Sequence, residues 1–231
     1  MLRLALFDLD GTLAENGAPV PDDVRQGLQG LVARGVQVGL CSGKPTYYLA
    51  GLVRQLGLED AILIGETGLS IQYGSDVPPD RFHLHSPSQQ DRDLLAALRT
   101  ELTEHFERIW FQPNEASLTV FYYDTPTKVE LRSLLRDRIS QAPGLRIFEQ
   151  LDCFDITPGF TKADGIRVVM ADLGLKVDEI AYVGDSENDG PAMELIPLSI
   201  SVSDRISAPI EVDTIQRAIQ EIVLRLKAET L

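Results

Sequence analysis

Six side chains that could do chemistry stand beside short apolar runs or open a helix. Asp8 and Asp10 follow the run Leu2 to Phe7, Ser42 follows Val36 to Leu40, Asp185 and Asp189 follow Ile180 to Val183, and Lys162 begins a helix-patterned stretch. Two carboxylates two residues apart share a face if the strand continues, and Gly11 lets the backbone turn so that both address one point. Gathered aspartates repel unless a cation joins them, and hard oxygen donors around an open position suit Mg²⁺. A divalent ion, an ammonium, a hydroxyl and a carboxylate nucleophile are the parts of phosphoryl transfer: neutralisation, positioning and attack.

These residues are remote in sequence, so the fold must bring them together. Pro21-Asp22-Asp23 opens an amphipathic helix that buries Val24, Leu28, Leu31 and Val32 and ends near Gly35. The second strand, Val36 to Leu40, ends in Cys41-Ser42-Gly43-Lys44, and Pro45 opens a helix running to about Leu56. A hydroxyl, a flexible glycine and a helix start at a strand end form a phosphate-binding arrangement, or simply a capped helix start. Ala61 to Ile64 is a third buried strand, closed by Gly65-Glu66-Thr67-Gly68. Alternating strands and helices argue for a parallel, doubly wound sheet, whose strands share one crevice at their carboxyl ends.

From Leu69 the texture changes. Leu69 to Tyr73 and Arg81 to His85, joined across Pro78-Pro79, look like a hairpin, and an inserted module follows. It reads as a helix from Gln89 to Glu107, a strand from Ala116 to Tyr123, a helix from Thr127 to Ile139, and strands at Leu145 to Phe148 and Cys153 to Thr157. In the first of these strands Leu118, Val120 and Tyr122 fall on one face, toward the helices, and Ser117, Thr119 and Phe121 on the other. The alternating pattern then returns with a helix from Thr161 to Leu173. Lys162 in its first turn opposes the helix dipole, which points to an anion nearby. A strand from Ile180 to Val183, a short helix from Pro191 to Leu195, a strand from Pro197 to Val202 and a helix from Ile210 to Leu226 complete the chain.

The set Asp8-Leu9-Asp10-Gly11-Thr12, Ser42-Gly43, Lys162 and Gly184-Asp185-Ser186-Glu187-Asn188-Asp189 resembles, in order and spacing, the four motifs of the haloacid dehalogenase-like hydrolases. The resemblance spans the whole chain. The insert between the second and third motifs resembles the α+β cap of the subgroup that includes sugar-phosphate phosphatases. Asn114-Glu115-Ala116-Ser117 and the Gly184 to Asp189 run look most like archaeal-type phosphoglycolate phosphatases. Two positions depart from that pattern: Glu66-Thr67-Gly68 stands where Glu-Asn-Gly is common, and Lys44 where arginine or asparagine is usual.

The resemblance implies a Rossmann-like, doubly wound parallel-sheet α/β core, residues 1–82 and 156–231, with an α+β cap over 83–155 that sets substrate specificity. It implies that Asp8 attacks phosphorus, and that Asp10 protonates the leaving oxygen and then activates water. Mg²⁺ would be held by the Asp8 carboxylate, the Asp10 carbonyl and Asp185, with Asp189 ordering its waters. Ser42, Gly43, Lys44 and Lys162 would hold the phosphoryl group, with Asn188 orienting it. Glu115 and Arg146 are the charged cap residues placed to meet a leaving group, and Arg146 could pair with a substrate carboxylate. The implied activity is phosphate-monoester hydrolysis, with phosphoglycolate favoured. A sugar phosphate of the sucrose-phosphate or mannosylglycerate-phosphate type, a phosphosugar mutase and a non-catalytic binding protein are the alternatives.

Composition narrows the field further. Among 231 residues, 44% are hydrophobic and 24% charged, which is ordinary for a globular protein. A formal charge of −14 opposes phosphate backbones and anionic lipid, so nucleic acid and membrane are poor partners and a small phosphorylated metabolite a better one. With no apolar run long enough to span a bilayer and no signal-like start, the chain reads as cytoplasmic, as a monomer or homodimer. Cys41 and Cys153 are far apart and unflanked by histidine, so they read as buried thiols, and His83, His85 and His105 as surface or strand-edge residues.

Overall fold

The computed structural model describes residues 1–228. In chain order its elements begin with β1 (Leu4–Phe7), α1 (Asp22–Val32), β2 (Gln37–Cys41), α2 (Thr46–Leu56), β3 (Ile62–Gly65), β4 (Ser70–Tyr73) and β5 (Arg81–Leu84). Next come α3 (Gln89–His105), β6 (Ile109–Phe111), β7 (Leu118–Tyr122), α4 (Thr125–Ser140), β8 (Arg146–Glu149) and β9 (Cys153–Thr157). The last group is α5 (Lys162–Leu173), β10 (Ile180–Gly184), α6 (Gly190–Leu195), β11 (Leu198–Ser201), β12 (Ile210–Glu211) and α7 (Ile215–Ala228). They form two compact units, Met1–His83 with Thr161–Leu231, and Leu84–Phe160.

The first unit is built on an eight-stranded sheet ordered β12-β11-β10-β1-β2-β3-β4-β5. From β12 to β3 every pairing is parallel, and β4 turns back antiparallel on β3. The strands are apolar on both faces because both faces are covered. Ala5, Phe7, Val38 and Leu40 pack on one side with Val24 and Leu28 of α1, Leu49 and Val53 of α2, and Ile219 and Ile222 of α7. Leu4, Leu6, Ile62 and Ile64 face the other side, with Ile166 and Val169 of α5 and Met193 of α6.

Three details of the first unit differ from the sequence reading. Val32 is exposed rather than buried, since α1 ends there and its apolar stripe stops at Leu31. The apparent hairpin strands β4 and β5 extend the main sheet, so the change of texture at Leu69 marks its antiparallel edge. The last helix starts at Ile215, because Ile210 and Glu211 pair with Ile200 and Ser201 as a parallel edge strand.

The second unit is an antiparallel sheet ordered β6-β7-β9-β8, with α3 and α4 on one face. Leu118 and Val120 of β7 and Phe154 and Ile156 of β9 meet Leu95, Leu98 and Leu102 of α3 and Leu131 and Leu135 of α4. Side chains alternate across a strand, so Thr119, Phe121 and Asp155 lie on the opposite face. Among the described residues, no helix is long and apolar enough to cross a membrane.

Candidate active site

In an open parallel sheet, sites form where the chain order reverses direction. Here that point lies between β1 and β10: β2 and β3 continue to one side of β1, and β10, β11 and β12 to the other. The register pairs Phe7 with Val183, so Asp8 leaves β1 level with Gly184, and Asp185 follows one residue on from the neighbouring strand. Gly11, at φ +87°, turns the chain beside Asp185; a Cβ there would lie 2.5 Å from the Asp185 Oδ2. The turn is closed by N–H donations from Gly11 to the Ala14 carbonyl (2.8 Å) and from Leu13 to the Leu9 carbonyl (2.9 Å).

Lys162 is the centre of the site. It is fully buried, and its ammonium donates to Asp8 Oδ1 at 2.7 Å and to Asp189 Oδ1 at 2.6 Å. Thr161 places it there, capping α5 through a reciprocal box with Asp164. Asp189 also accepts from the Tyr182 hydroxyl at 2.5 Å and from the backbone N–H groups of Asp185 (2.9 Å) and Ser186 (3.0 Å). Asp185 accepts from the Thr12 hydroxyl at 2.9 Å and from the Arg205 guanidinium.

Burial, with Asp189 and Asp185 close by, holds the Asp8 carboxyl well above the usual carboxylate range despite Lys162. Burial and Asp189 likewise raise Asp185. Asp189 is desolvated too, but the Lys162 charge and its hydrogen-bond donors outweigh burial and hold it low. Burial opposes the charge on Lys162, yet Asp189 and Asp8 more than compensate and push its pKa up.

Asp8, Asp185 and Asp189 each offer a carboxylate oxygen, and these oxygens all lie within 4.8 Å of one another. The set fits Mg²⁺: the donors are hard oxygens, and a divalent cation would offset both the burial and the crowding of charge that raise Asp8 and Asp185. A pH dependence follows. A carboxyl raised in the folded state holds its proton above pH 3.8, destabilises the metal-free fold as pH rises toward its folded pKa, and must give up that proton to the buffer when it binds a metal. Mg²⁺ binding should therefore release protons and weaken as pH falls through the raised pKa values. Calorimetric titrations in two buffers of different ionisation enthalpy check this; equal heats would mean that Asp8 and Asp185 are already ionised.

Against known families, the model for haloacid dehalogenase-like hydrolases matches residues 5–78 and 89–208. The chain belongs to the haloacid dehalogenase-like hydrolases. Among its relatives, a phosphoglycolate phosphatase of Methanoculleus marisnigri is 26% identical over 209 residues, covering 87% of this chain and 84% of its own length. Another, from Staphylothermus marinus, is 26% identical over 210 residues, covering 88% and 86%. Of the solved structures, a Thermoplasma acidophilum protein shares the fold at a TM-score of 0.77 and 20% identity, covering 98% of this chain and 99% of that one. A sugar phosphatase of haloacid dehalogenase subclass IIB does so at 0.73 and 18%, covering 96% and 99%.

The remaining residues singled out in this hydrolase fall into two groups. Ser42 directly follows β2, the strand beside β1, and its hydroxyl accepts the Lys44 N–H at 3.2 Å across Gly43; Lys44 Nζ lies 3.4 Å from Asp10 Oδ2. Asn188 is buried in the turn after β10 and accepts from the Ser186 hydroxyl at 2.9 Å. Glu115 and Arg146 belong to the second unit and are exposed, Glu115 in the loop before β7 and Arg146 opening β8 opposite Thr157. On that sheet's outer face Thr119 is buried, not solvated; it donates to Asp155 Oδ1 at 2.6 Å and accepts from Asn114 at 2.9 Å.

The sequence reading gave no role to Thr12, Tyr182 or Arg205. Thr12 and Tyr182 had a signal: a hydroxyl beside the acids, and a tyrosine inside a fully buried strand, which must find a partner. Arg205 had none.

Thr67 occupies the left-handed region at φ +57°, next to Glu66 at φ +48°, and its N–H donates to the Ser42 carbonyl at 3.0 Å. A β-branched residue is strained there, whereas asparagine tolerates it. Thr67→Asn is expected to raise stability by ~0.5–1 kcal/mol, read as a Tm increase of a few degrees. A lower Tm would mean that Thr67 packing outweighs the strain.

Proposed function

We propose that this hydrolase is a Mg²⁺-dependent phosphatase of small phosphate monoesters, with phosphoglycolate the favoured substrate. One observation carries the reading: a nucleophile-capable carboxylate, Asp8, sits against a buried ammonium and beside two further carboxylates that could share a cation. The phosphoglycolate phosphatases among its relatives support that choice of substrate.

In the first step an Asp8 oxygen bonds to phosphorus as the bond to the leaving oxygen breaks, and Asp10 gives that oxygen its proton. In the second, water attacks the aspartyl-phosphate, Asp10 takes the proton, and the Asp8–phosphorus bond breaks to free phosphate. Lys162 uses two N–H groups on Asp8 and Asp189 and turns the third to a phosphoryl oxygen. Ser42 and the Gly43–Lys44 backbone hold the other oxygens, and Asn188 orients the group. Asp8, Asp185 and the Asp10 carbonyl would hold Mg²⁺, with Asp189 ordering its waters. When bound, the ion neutralises charge so that one anion can approach another. Glu115 and Arg146 are proposed to discriminate among leaving groups.

A phosphate-release screen with Mg²⁺ over phosphoglycolate, sugar phosphates and nucleotides tests the reading. Phosphate released fastest from phosphoglycolate supports it. Preference for a sugar phosphate would move the substrate, isomerised sugar phosphate without free phosphate would mean a mutase, and no turnover of any ester would overturn the assignment.

A further inference from the structure

We propose that Arg205 is a displaceable counter-charge for the metal site: it holds Asp185 while no divalent cation is bound and yields when one enters. This rests on the Mg²⁺ reading above. Arg205 lies in the segment between β11 and β12, and its guanidinium pairs with Asp185 Oδ2. The two partners differ sharply in their access to water, since the Asp185 side chain is 1% exposed and that of Arg205 is 50% exposed. Asp185 Oδ1 is held separately by the Thr12 hydroxyl.

The segment is anchored without the guanidinium. The Ser203 hydroxyl donates to the Asp185 carbonyl, and the Arg205 N–H donates to Ser203 Oγ at 3.2 Å. The side chain can therefore swing into solvent while its backbone stays. Charge gives the direction. When ionised, Asp8, Asp185 and Asp189 carry three negative charges against the one positive charge of Lys162, leaving two. A divalent cation would cancel those two, and Arg205 would become a surplus positive charge on a carboxylate that would hold the cation. A half-exposed monovalent partner is the weaker competitor.

The test is Mg²⁺ titration calorimetry with thermal unfolding, on the wild type, Arg205→Ala and Arg205→Lys. Arg205→Ala is expected to bind Mg²⁺ about threefold tighter or better, the scale of a partly exposed ion pair. Its metal-free Tm should fall while its Mg²⁺-saturated Tm matches the wild type, and Arg205→Lys should restore wild-type affinity. Unchanged or weaker Mg²⁺ binding in Arg205→Ala overturns the proposal. A wild type that binds no Mg²⁺ overturns the metal reading itself, whatever the variants do.

Discussion

Asp8→Asn is expected to abolish turnover, by about 10³-fold or more, in a protein that still folds. The substitution preserves shape and removes the attacking charge. Folding should survive, because β1 is held by Ala5 and Phe7 on one face and Leu4 and Leu6 on the other, and Lys162 keeps Asp189 as its partner. The variant also removes a buried carboxyl whose pKa desolvation holds well above the usual carboxylate range, so the metal-free Tm should not fall. Asp10→Asn separates the roles: it should permit at most a slow first step, visible as phosphate trapped on the protein in acid quench. Near-normal steady-state turnover by Asp8→Asn would rule out the covalent route and leave direct attack by water.

Lys162→Met is expected to lose both activity and stability. The methionine fills the space but leaves Asp8 and Asp189 buried without their ammonium, and breaking such a buried pair costs about 3–5 kcal/mol. The pH dependence has a definite sign. Because the folded pKa of Lys162 is raised, its contribution is complete below its unfolded value of 10.5 and is lost only as pH rises through the folded value. The Asp189 pKa is lowered, so its share is present above 3.8 and is lost as pH falls through the lower folded value. The stability gap to the wild type should therefore be flat through neutral pH and close on acidification. Added Mg²⁺ should recover part of the lost Tm without recovering turnover. An unchanged Tm would make Lys162 an ordinary helix residue.

What is legible in the sequence depends on how local its cause is. Strand ends, paired acids and glycine turns are written in runs of about five to seven residues, so Asp8, Ser42, Lys162 and Asp185 stand out from the sequence alone. β6 does not, because three residues, Ile109–Phe111, are too few for an alternation to register. Arg205 does not either, because nothing in Ser203-Asp204-Arg205 marks it; only the placement of β11 beside β10 brings that segment to Asp185. The strand at Ile210 merges with the last helix in a sequence reading because its apolar residues fit either period, and pairing with β11 decides the matter.

The first turn of α5 lies against the turn after β3 with no side chain between them. A Cβ on Gly68 would stand 2.3 Å from the Thr161 carbonyl oxygen, and one on Gly165 would stand 2.8 Å from the Gly68 Cα. Adding even a methyl group at either position pushes the helix away, and with it an ammonium neither glycine touches. In a mutational scan scored by activity, these two glycines would rank with the reacting groups, though neither carries a side-chain atom that could donate, accept or attack. The length of the active site along the chain is thus greater than its chemistry, and a catalogue of residues drawn from function alone would mistake two spacers for catalysts.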